Sequence, residues 1–305
     1  MQTLALDGID GQHLWGFMTA IGTLSLLDEH AREKGLEAPR LVFEENGKAV
    51  VHSPVVKDRL AVVLSDKLDK LKPYFKDDLK EVKKPSDFTR SSFESAARKT
   101  LRPSPVLLNM LAGLACVVGD EAFESTLCAA NGASHQNLVQ SMRDVLELVE
   151  VGHIRLALFE PWQKSYRVPD DKRKKFQLGS RKPTLRLDPS DDRLYALRFS
   201  NPTTTDDYRT ELGAQALAIP AFALLPVVPS RRPITVASAR RRQRVAFTWP
   251  LWKVPATLPT VRALLWGGVG SPKAQRARGV FAAFSADRIS GAKGKLSFAP
   301  SQGVW

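Results

Sequence analysis

A long apolar segment near the N-terminus constrains the fold of this chain more than any other feature. Between residues 13 and 30, apolar side chains recur every three or four positions, which is typical of a helix with one fully buried face. They are Leu14, Phe17, Met18, Ile21, Leu24 and Leu27. Gly16 and Gly22 lie in the same segment, where glycine costs a helix about 1 kcal/mol relative to alanine. We therefore predict that both glycines allow another stretch of backbone to pack closely against this helix.

The rest of the first half is predicted to be mostly helical, with an N-terminal strand and a hairpin. A strand is expected at residues 3–6, and the Asn46-Gly47 pair predicts a hairpin turn between strands 40–43 and 49–52, because both residues tolerate positive φ. Helical periodicity predicts helices at residues 55–75, 104–118, 121–130 and 135–150. The lysine-rich stretch 76–102 nearly balances its acidic and basic residues, so we expect an ordinary surface connection there.

After Gly152 the pattern changes to short alternating segments separated by Pro, Asp and Ser. Strands are predicted at 153–159, 184–187, 193–199, 234–237, 244–248, 280–285 and 295–298. Helices are predicted at 210–225, where Pro220 should kink or end the helix, and at 258–266. Helices cluster early and no βαβ alternation follows, which predicts the α+β class. We divide the chain into a helical packing region, 1–150, and a basic α+β region, 151–305, which form either two domains or one continuous domain.

The net charge of +13 is unevenly distributed: residues 1–150 carry −4 and residues 151–305 carry +17. Three clusters provide most of the excess, and their Gly, Pro, Ser and Ala neighbours indicate exposed loops. The clusters are Lys172, Arg173, Lys174 and Lys175; Arg231, Arg232, Arg240, Arg241, Arg242 and Arg244; and Lys273, Arg276, Arg278, Arg288, Lys293 and Lys295. A single cluster would fit a solvated surface loop, but three in one half favour a nucleic-acid partner.

Aromatic residues accompany the first basic cluster. Tyr166 and Phe176 alternate with cations, a combination that binds single-stranded nucleic acid by base stacking and phosphate neutralisation. Both rings could equally anchor a loop on the core. For Phe159 and Trp162 we favour that anchoring role. The aromatic residues among prolines, which are Phe247, Trp249, Trp252 and Trp266, indicate a packed, rigid corner.

No motif of a known catalytic class is visible. The chain lacks the G-x-x-x-x-G-K-[ST] phosphate loop and the G-x-S-x-G nucleophile elbow, and its five histidines are scattered. The glycines at 8, 11, 16 and 22 do not have G-x-G-x-x-G spacing, so helix packing explains them better than dinucleotide binding. We interpret the acidic pairs at 170–171, 191–192 and 206–207 as turn formers and helix caps. We therefore predict no enzyme activity, no cofactor and no metal site.

Cysteine usage and hydropathy bear on the compartment. The two cysteines, Cys116 and Cys128, lie in apolar patterns, which suits a reducing compartment, and no apolar run approaches the length of a membrane helix. The N-terminal residues do not have the pattern of a secretory signal. We expect a cytoplasmic protein with no membrane association.

Several segments resemble proteins of subtype I-G (formerly I-U) CRISPR–Cas systems. The opening is similar in Leu4-Ala-Leu-Asp-Gly, His13-Leu-Trp-Gly-Phe and Ala20-Ile-Gly-Thr-Leu. Later similarities are Leu158-Phe-Glu-Pro-Trp, Leu187-Asp-Pro-Ser-Asp-Asp-Arg-Leu-Tyr-Ala-Leu-Arg, Leu225-Pro-Val-Val-Pro, Phe247-Thr-Trp-Pro-Leu-Trp and Arg278-Gly-Val-Phe-Ala-Ala-Phe. These motifs span most of the chain and contain no catalytic signature.

The resemblance implies a non-catalytic subunit or accessory protein of a crRNA-guided complex in antiviral defence, similar to the large-subunit class. Its partners would be crRNA, target DNA or both, together with other CRISPR effector subunits. In such complexes base pairing supplies sequence specificity, while the protein supplies backbone and shape contacts. Two alternatives stay open: a metal-dependent nuclease using Asp206, Asp207 and Glu211, and a protein–protein adaptor whose basic charge only aids solubility.

Overall fold

We describe a computed structural model of the chain. The structure describes residues 1–79, 89–100, 105–128, 138–178, 183–188, 209–229, 234–241, 244–267, 271–290 and 296–305. Helices dominate the first half and strands with connecting helices follow, which confirms the predicted α+β class.

The N-terminal layer is a three-stranded antiparallel sheet covered by one long helix. Strands β1 (Gln2–Asp10), β2 (Arg40–Phe43) and β3 (Lys48–Ser53) pair in the order β1-β3-β2, and α1 (Leu14–Lys34) follows β1. The β2–β3 turn has Gly47 at φ +87°, and the Asn46 side chain accepts a hydrogen bond from the Lys48 backbone N–H at 2.8 Å. The predicted strand, helix and hairpin are confirmed.

Helix α1 is buried along most of its length, and other backbone segments approach it at its glycines. A Cβ atom on Gly16 would lie 1.9 Å from the carbonyl oxygen of Asp10, and one on Gly22 would lie 1.9 Å from that of Leu217. Leu217 belongs to α8 (Leu212–Ala218), a wholly buried helix of the second half. The predicted packing role of both glycines is therefore confirmed.

The remaining first-half elements surround this core. They are α2 (Lys57–Asp69), a π-helical turn (Tyr74–Asp78), α3 (Arg90–Thr100), α4 (Pro105–Leu114), β4 (Ala115–Val118), β5 (Glu121–Glu124) and α5 (Leu138–Leu148). The predicted helix at 121–130 is wrong in its described part, and the predicted helix at 104–118 ends at Leu114. Strands β4 and β5 pair instead around a two-residue turn in which Gly119 has φ +64°.

The predicted strand at 153–159 is also wrong, because this segment is helix α6 (Val151–Phe159). Its buried positions are Ile154, Ala157 and Leu158, which have helical spacing, whereas Leu156 is 52% exposed. Residues 184–187 form a buried loop rather than a strand, held by the Leu185 N–H, which donates to the Gln215 side-chain oxygen at 2.9 Å. The predicted strand at 193–199 lies outside the described residues.

The second half contains a buried helical core and an antiparallel sheet. After α7 (Asp170–Lys175), helix α8 changes at Pro220 into a 3₁₀ segment (Ile219–Leu224), so the predicted interruption is confirmed. Strands β6 (Val227–Val228) and β7 (Ile234–Thr235) form a small ladder. Strands β8 (Ser238–Arg241), β9 (Arg244–Trp252), β10 (Val280–Ser290), β11 (Leu296–Phe298) and β12 (Gln302–Gly303) form the larger sheet, in the order β11-β10-β9-β8 with β12 against β10.

Two indole groups connect this sheet to the N-terminal layer. Trp249 Nε1 donates to the carbonyl of Gly11 at 2.8 Å, and Trp252 Nε1 donates to that of Leu41 at 2.7 Å. Together with Phe247 these rings are buried, so the predicted aromatic corner is confirmed for three of its members. Trp266 is an exception: it ends helix α9 (Leu258–Trp266) and is 59% exposed.

One hydrophobic cluster includes side chains from both predicted regions, among them Phe17 and Phe222. The cysteines are buried, and burial raises the pKa of both thiols. Within the part of the chain that the structure describes, no helix has the length and apolar character that crossing a bilayer requires.

Candidate nucleic-acid interface

The first basic cluster forms helix α7, whose acidic first turn and basic last turn suit the helix dipole. Lys172 Nζ lies 2.5 Å from Glu150 Oε1, and this hydrogen bond lowers the pKa of Glu150 and raises that of Lys172. Lys174 and Lys175 are exposed, and Lys175 Nζ lies 5.2 Å from the centroid of the Phe176 ring. The structure thus brings Lys175 and Phe176 together and commits Lys172 to an internal ion pair.

Tyr166 is held by the protein itself. Its backbone exchanges two hydrogen bonds with Thr210, and its ring meets His153 edge-on with 4.7 Å between the centroids. Burial raises the pKa of its phenol. Of the two roles considered for Tyr166, this geometry favours anchoring a loop. Trp162 also packs inward, since its Nε1 donates to the carbonyl of Ala157 at 2.8 Å.

Lys175 and Phe176 line a groove of about 480 Å³ whose other walls come from α5 and the π-helical turn. We call it the α7 groove. Its cations are Lys72, Lys76, Arg143 and Lys175, and its carboxylates are Asp144 and Glu147. Three of the four cations belong to the first half, whose net charge is negative. Sequence reasoning missed them because it averaged charge along the chain.

Two of these cations already contact other groups of the protein. Arg143 Nε donates to the Phe75 carbonyl at 2.5 Å and its Nη2 donates to the Leu79 carbonyl, so it caps the π-helical turn. Burial lowers the pKa of Arg143. Lys72 pairs with Asp69 at 2.6 Å. Lys76 and Lys175 are exposed and form no ion pair with a carboxylate of the described residues.

The second basic cluster lies on the β8–β9 hairpin. Arg241 is opposite Arg244 in the antiparallel register, and Arg240 is opposite Val245. We call this closed end the arginine hairpin. Arg231, Arg232 and Arg242 lie outside the described residues.

The third cluster is partly exposed. Lys273 and Arg276 lie on α10 (Pro272–Ala277), and Arg278 follows it; all three are exposed. Arg276 lies 6.0 Å from the centroid of the Trp305 ring. Trp266 adds an exposed ring near this cluster, since Arg278 Nη1 lies close to the adjacent Gly267, whereas Trp305 is partly buried against the core. The predicted packed role of Trp266 is wrong, since most of its surface is accessible.

Arg288 is placed differently from its neighbours in the sequence. Its Nη2 donates to the carbonyl of buried Cys128 at 3.0 Å, and burial lowers the pKa of its guanidinium. This side chain is committed to the protein interior, so we leave it out of the interface. Lys293 and Lys295 lie outside the described residues.

Glu211, the described member of the nuclease alternative, is a loop anchor. Its carboxylate is mostly buried and accepts hydrogen bonds from the backbone N–H groups of 163–165, including that of Lys164 at 2.5 Å. Burial raises its pKa. Asp206 and Asp207 are outside the described residues, and the residues that are described contain no group of three His, Cys, Asp or Glu able to hold a metal ion.

No protein-family model matches the chain, and no curated protein matches it.

Proposed function

We propose that the protein is a non-catalytic nucleic-acid-binding subunit or accessory protein of a crRNA-guided CRISPR interference complex, acting in the cytoplasm with crRNA, target DNA or both and with other effector subunits. The sequence resemblance supplies the setting. The arginine hairpin carries the binding proposal.

The hairpin is the strongest support because the strand register groups three arginines at one end of the β8–β9 pair. Arg241 and Arg244 occupy a directly opposed pair, and Arg240 adjoins them. A polyanion that contacts several neighbouring cations releases its own counterions, which favours binding. The major groove of a duplex admits a two-stranded β-ribbon such as β8–β9. The exposed cations of α10 lie at the opposite end of β9, where Val280 pairs with Trp252, so they would form a separate contact with a longer nucleic acid.

Charge reversal of the hairpin tests the proposal. We expect R240E/R241E/R244E to weaken binding of a labelled single-stranded oligonucleotide at least tenfold in fluorescence anisotropy. The slope of log affinity against log salt should fall by about two to three, since each lost phosphate contact removes about 0.7 to 0.9 of slope. RNA and DNA versions of the oligonucleotide establish which is preferred.

The matched control is K34E/R59E/K99E, three exposed cations of the first half whose reversal changes the net charge by the same amount. This variant should retain both affinity and slope nearly unchanged. Equal weakening by the two triple variants would overturn the proposal, because net charge alone would then explain binding. Absence of any salt-sensitive affinity would favour the adaptor alternative, and metal-dependent cleavage of the oligonucleotide would favour the nuclease.

A further inference from the structure

We propose that the α7 groove binds a single nucleotide unit, with the base against the Phe176 ring and the phosphate between Lys76 and Lys175. This site goes beyond the proposed function, which rests on the arginine hairpin. The nucleotide could be free in solution or an unpaired nucleotide of a bound strand, and only the second source depends on the proposed function.

Size and charge define the ligand class. A volume of about 480 Å³ falls within the range of small-ligand pockets, about 300 to 1,000 Å³. Four cations and two carboxylates line the groove, and because Lys72 is paired with Asp69, an excess of one positive charge is left. A phosphate monoester carries about −1.5 to −2 at neutral pH, so one nucleoside monophosphate matches the groove better than a triphosphate.

The fixed groups of the groove form its floor. Gln140 Nε2 donates to Asp144 at 2.9 Å, and Arg143 Nη1 donates to the Gln140 side-chain oxygen at 3.2 Å. Because Arg143 also caps the π-helical turn, this network holds α5 and the turn at a constant separation. These hydrogen bonds need no ligand, so a floor held by them would lose little conformational entropy on binding.

The exposed groups of the groove provide recognition. Phe176 is half-buried, so its ring is held by the core while one part of it lines the cavity. Lys175 lies over this ring and has a long, exposed side chain that can move to a phosphate when a base takes its place. Lys76 lines the same cavity from the π-helical turn. A ring with two mobile cations beside it is what base stacking with phosphate binding requires.

The test is isothermal titration calorimetry of the full chain with AMP, UMP, adenosine and a 5′-phosphorylated oligonucleotide. We expect AMP to bind at least tenfold more tightly than adenosine, and Lys175→Gln to weaken AMP about fivefold to tenfold. Lys174→Gln is the matched control, because Lys174 is the exposed neighbour on α7 that does not line the groove; it should leave AMP affinity unchanged. Phe176→Leu should weaken AMP about tenfold.

Each outcome decides the proposal. Equal affinity for AMP and adenosine, no AMP binding at millimolar concentration, or equal effects of Lys174→Gln and Lys175→Gln would overturn it. If Phe176→Leu fails to fold, the comparison of Lys175→Gln with Lys174→Gln still tests the proposal. If the oligonucleotide competes with AMP, the groove binds a nucleotide of a strand. If AMP binds and the oligonucleotide does not compete with it, the groove binds a free nucleotide. R240E/R241E/R244E should lose oligonucleotide affinity and keep AMP affinity, so failure of the two proposals is distinguishable.

Discussion

At the scale of single residues, Gly22 determines how closely α1 approaches α8. A Cβ there would lie 1.9 Å from a backbone oxygen, and a backbone segment cannot move aside as a flexible side chain can. We expect Gly22→Ala to lower the free energy of unfolding by about 2 to 3 kcal/mol, at the upper end of what overpacking costs. Urea denaturation followed by circular dichroism measures the change.

Gly152→Ala is the control for this substitution. Gly152 is exposed in α6, and no atom lies within 4 Å of the position of its Cβ. Alanine there should be neutral or stabilise the protein by up to about 1 kcal/mol, because alanine favours a helix over glycine by about that amount. A Gly22→Ala variant as stable as Gly152→Ala would contradict the close packing of α1 and α8.

Glu33 gives the protein a specific dependence on pH. Its carboxylate accepts hydrogen bonds from Lys67 and Lys70, which lower its pKa to about 2. Because the folded pKa is below the unfolded value, the stabilisation is complete above about pH 4.5 and is lost as the pH falls towards 2. Glu33 is 42% exposed, so solvent screens the pair and we expect Glu33→Gln to cost about 1 kcal/mol at pH 7.

The measurement is urea denaturation of wild type and Glu33→Gln at several pH values between 7 and 2.5. The difference in stability between the two proteins should shrink as the pH falls below 4.5. A difference that stays constant across this range would show that lost packing, rather than lost charge, explains the effect of the substitution.

Single residues also show where sequence reasoning works. Gly16 and Gly22 were predictable, because a glycine in a strongly apolar helix carries a local cost that only close packing compensates. Arg143 was not, since its role is to cap carbonyl groups of Phe75 and Leu79 that are far away along the chain. A functional role that depends on distant backbone leaves no local pattern to find.

At the scale of elements, α6 shows how a helix can have the pattern of a strand. Ile154, Leu156 and Leu158 alternate with smaller or polar residues, and this alternation favours a strand. The pattern is misleading because a small residue such as Ala157 can be buried in a helix without contributing much to the apolar periodicity. The buried set includes Ala157, and Leu156 is exposed. The β4–β5 hairpin was missed for the opposite reason, because an apolar run continues from a helix into a strand with no break before Gly119.

Substitutions in α6 distinguish the helix from the predicted strand. Leu156→Lys should change stability by no more than about 0.5 kcal/mol, because the side chain is exposed. Ala157→Leu should destabilise by about 1 to 3 kcal/mol, because its position is fully buried and closely packed. Thermal denaturation of both variants measures this. In a strand with Leu156 inward the ranking would be reversed.

At the scale of the whole molecule, charge counted along the chain and charge on the surface differ. Residues 151–305 carry the basic excess, yet Lys72, Lys76 and Arg143 of the α7 groove belong to residues 1–150. The net charge of a segment sums residues that are neighbours in the sequence, whereas a binding site contains residues that are neighbours in space. The sequence therefore predicts a class of partner, whereas the grouping of these cations is visible only in the fold.

Packing between the two predicted regions gives the last prediction. The buried face of α1 is covered by α8 and the 3₁₀ segment, and Trp249 bonds to Gly11 across the same boundary. A chain of residues 1–150 alone would leave in water the apolar side chains of α1 that face α8 and the 3₁₀ segment. We expect this fragment to bind a hydrophobic dye and to unfold without a cooperative transition, whereas the full chain unfolds in one transition.

Adding residues 151–305 should suppress dye binding, since that fragment supplies the residues that cover α1. Cooperative unfolding of 1–150 alone would establish two independent domains instead, and the α1–α8 contact would then be an interface between domains rather than the centre of one core.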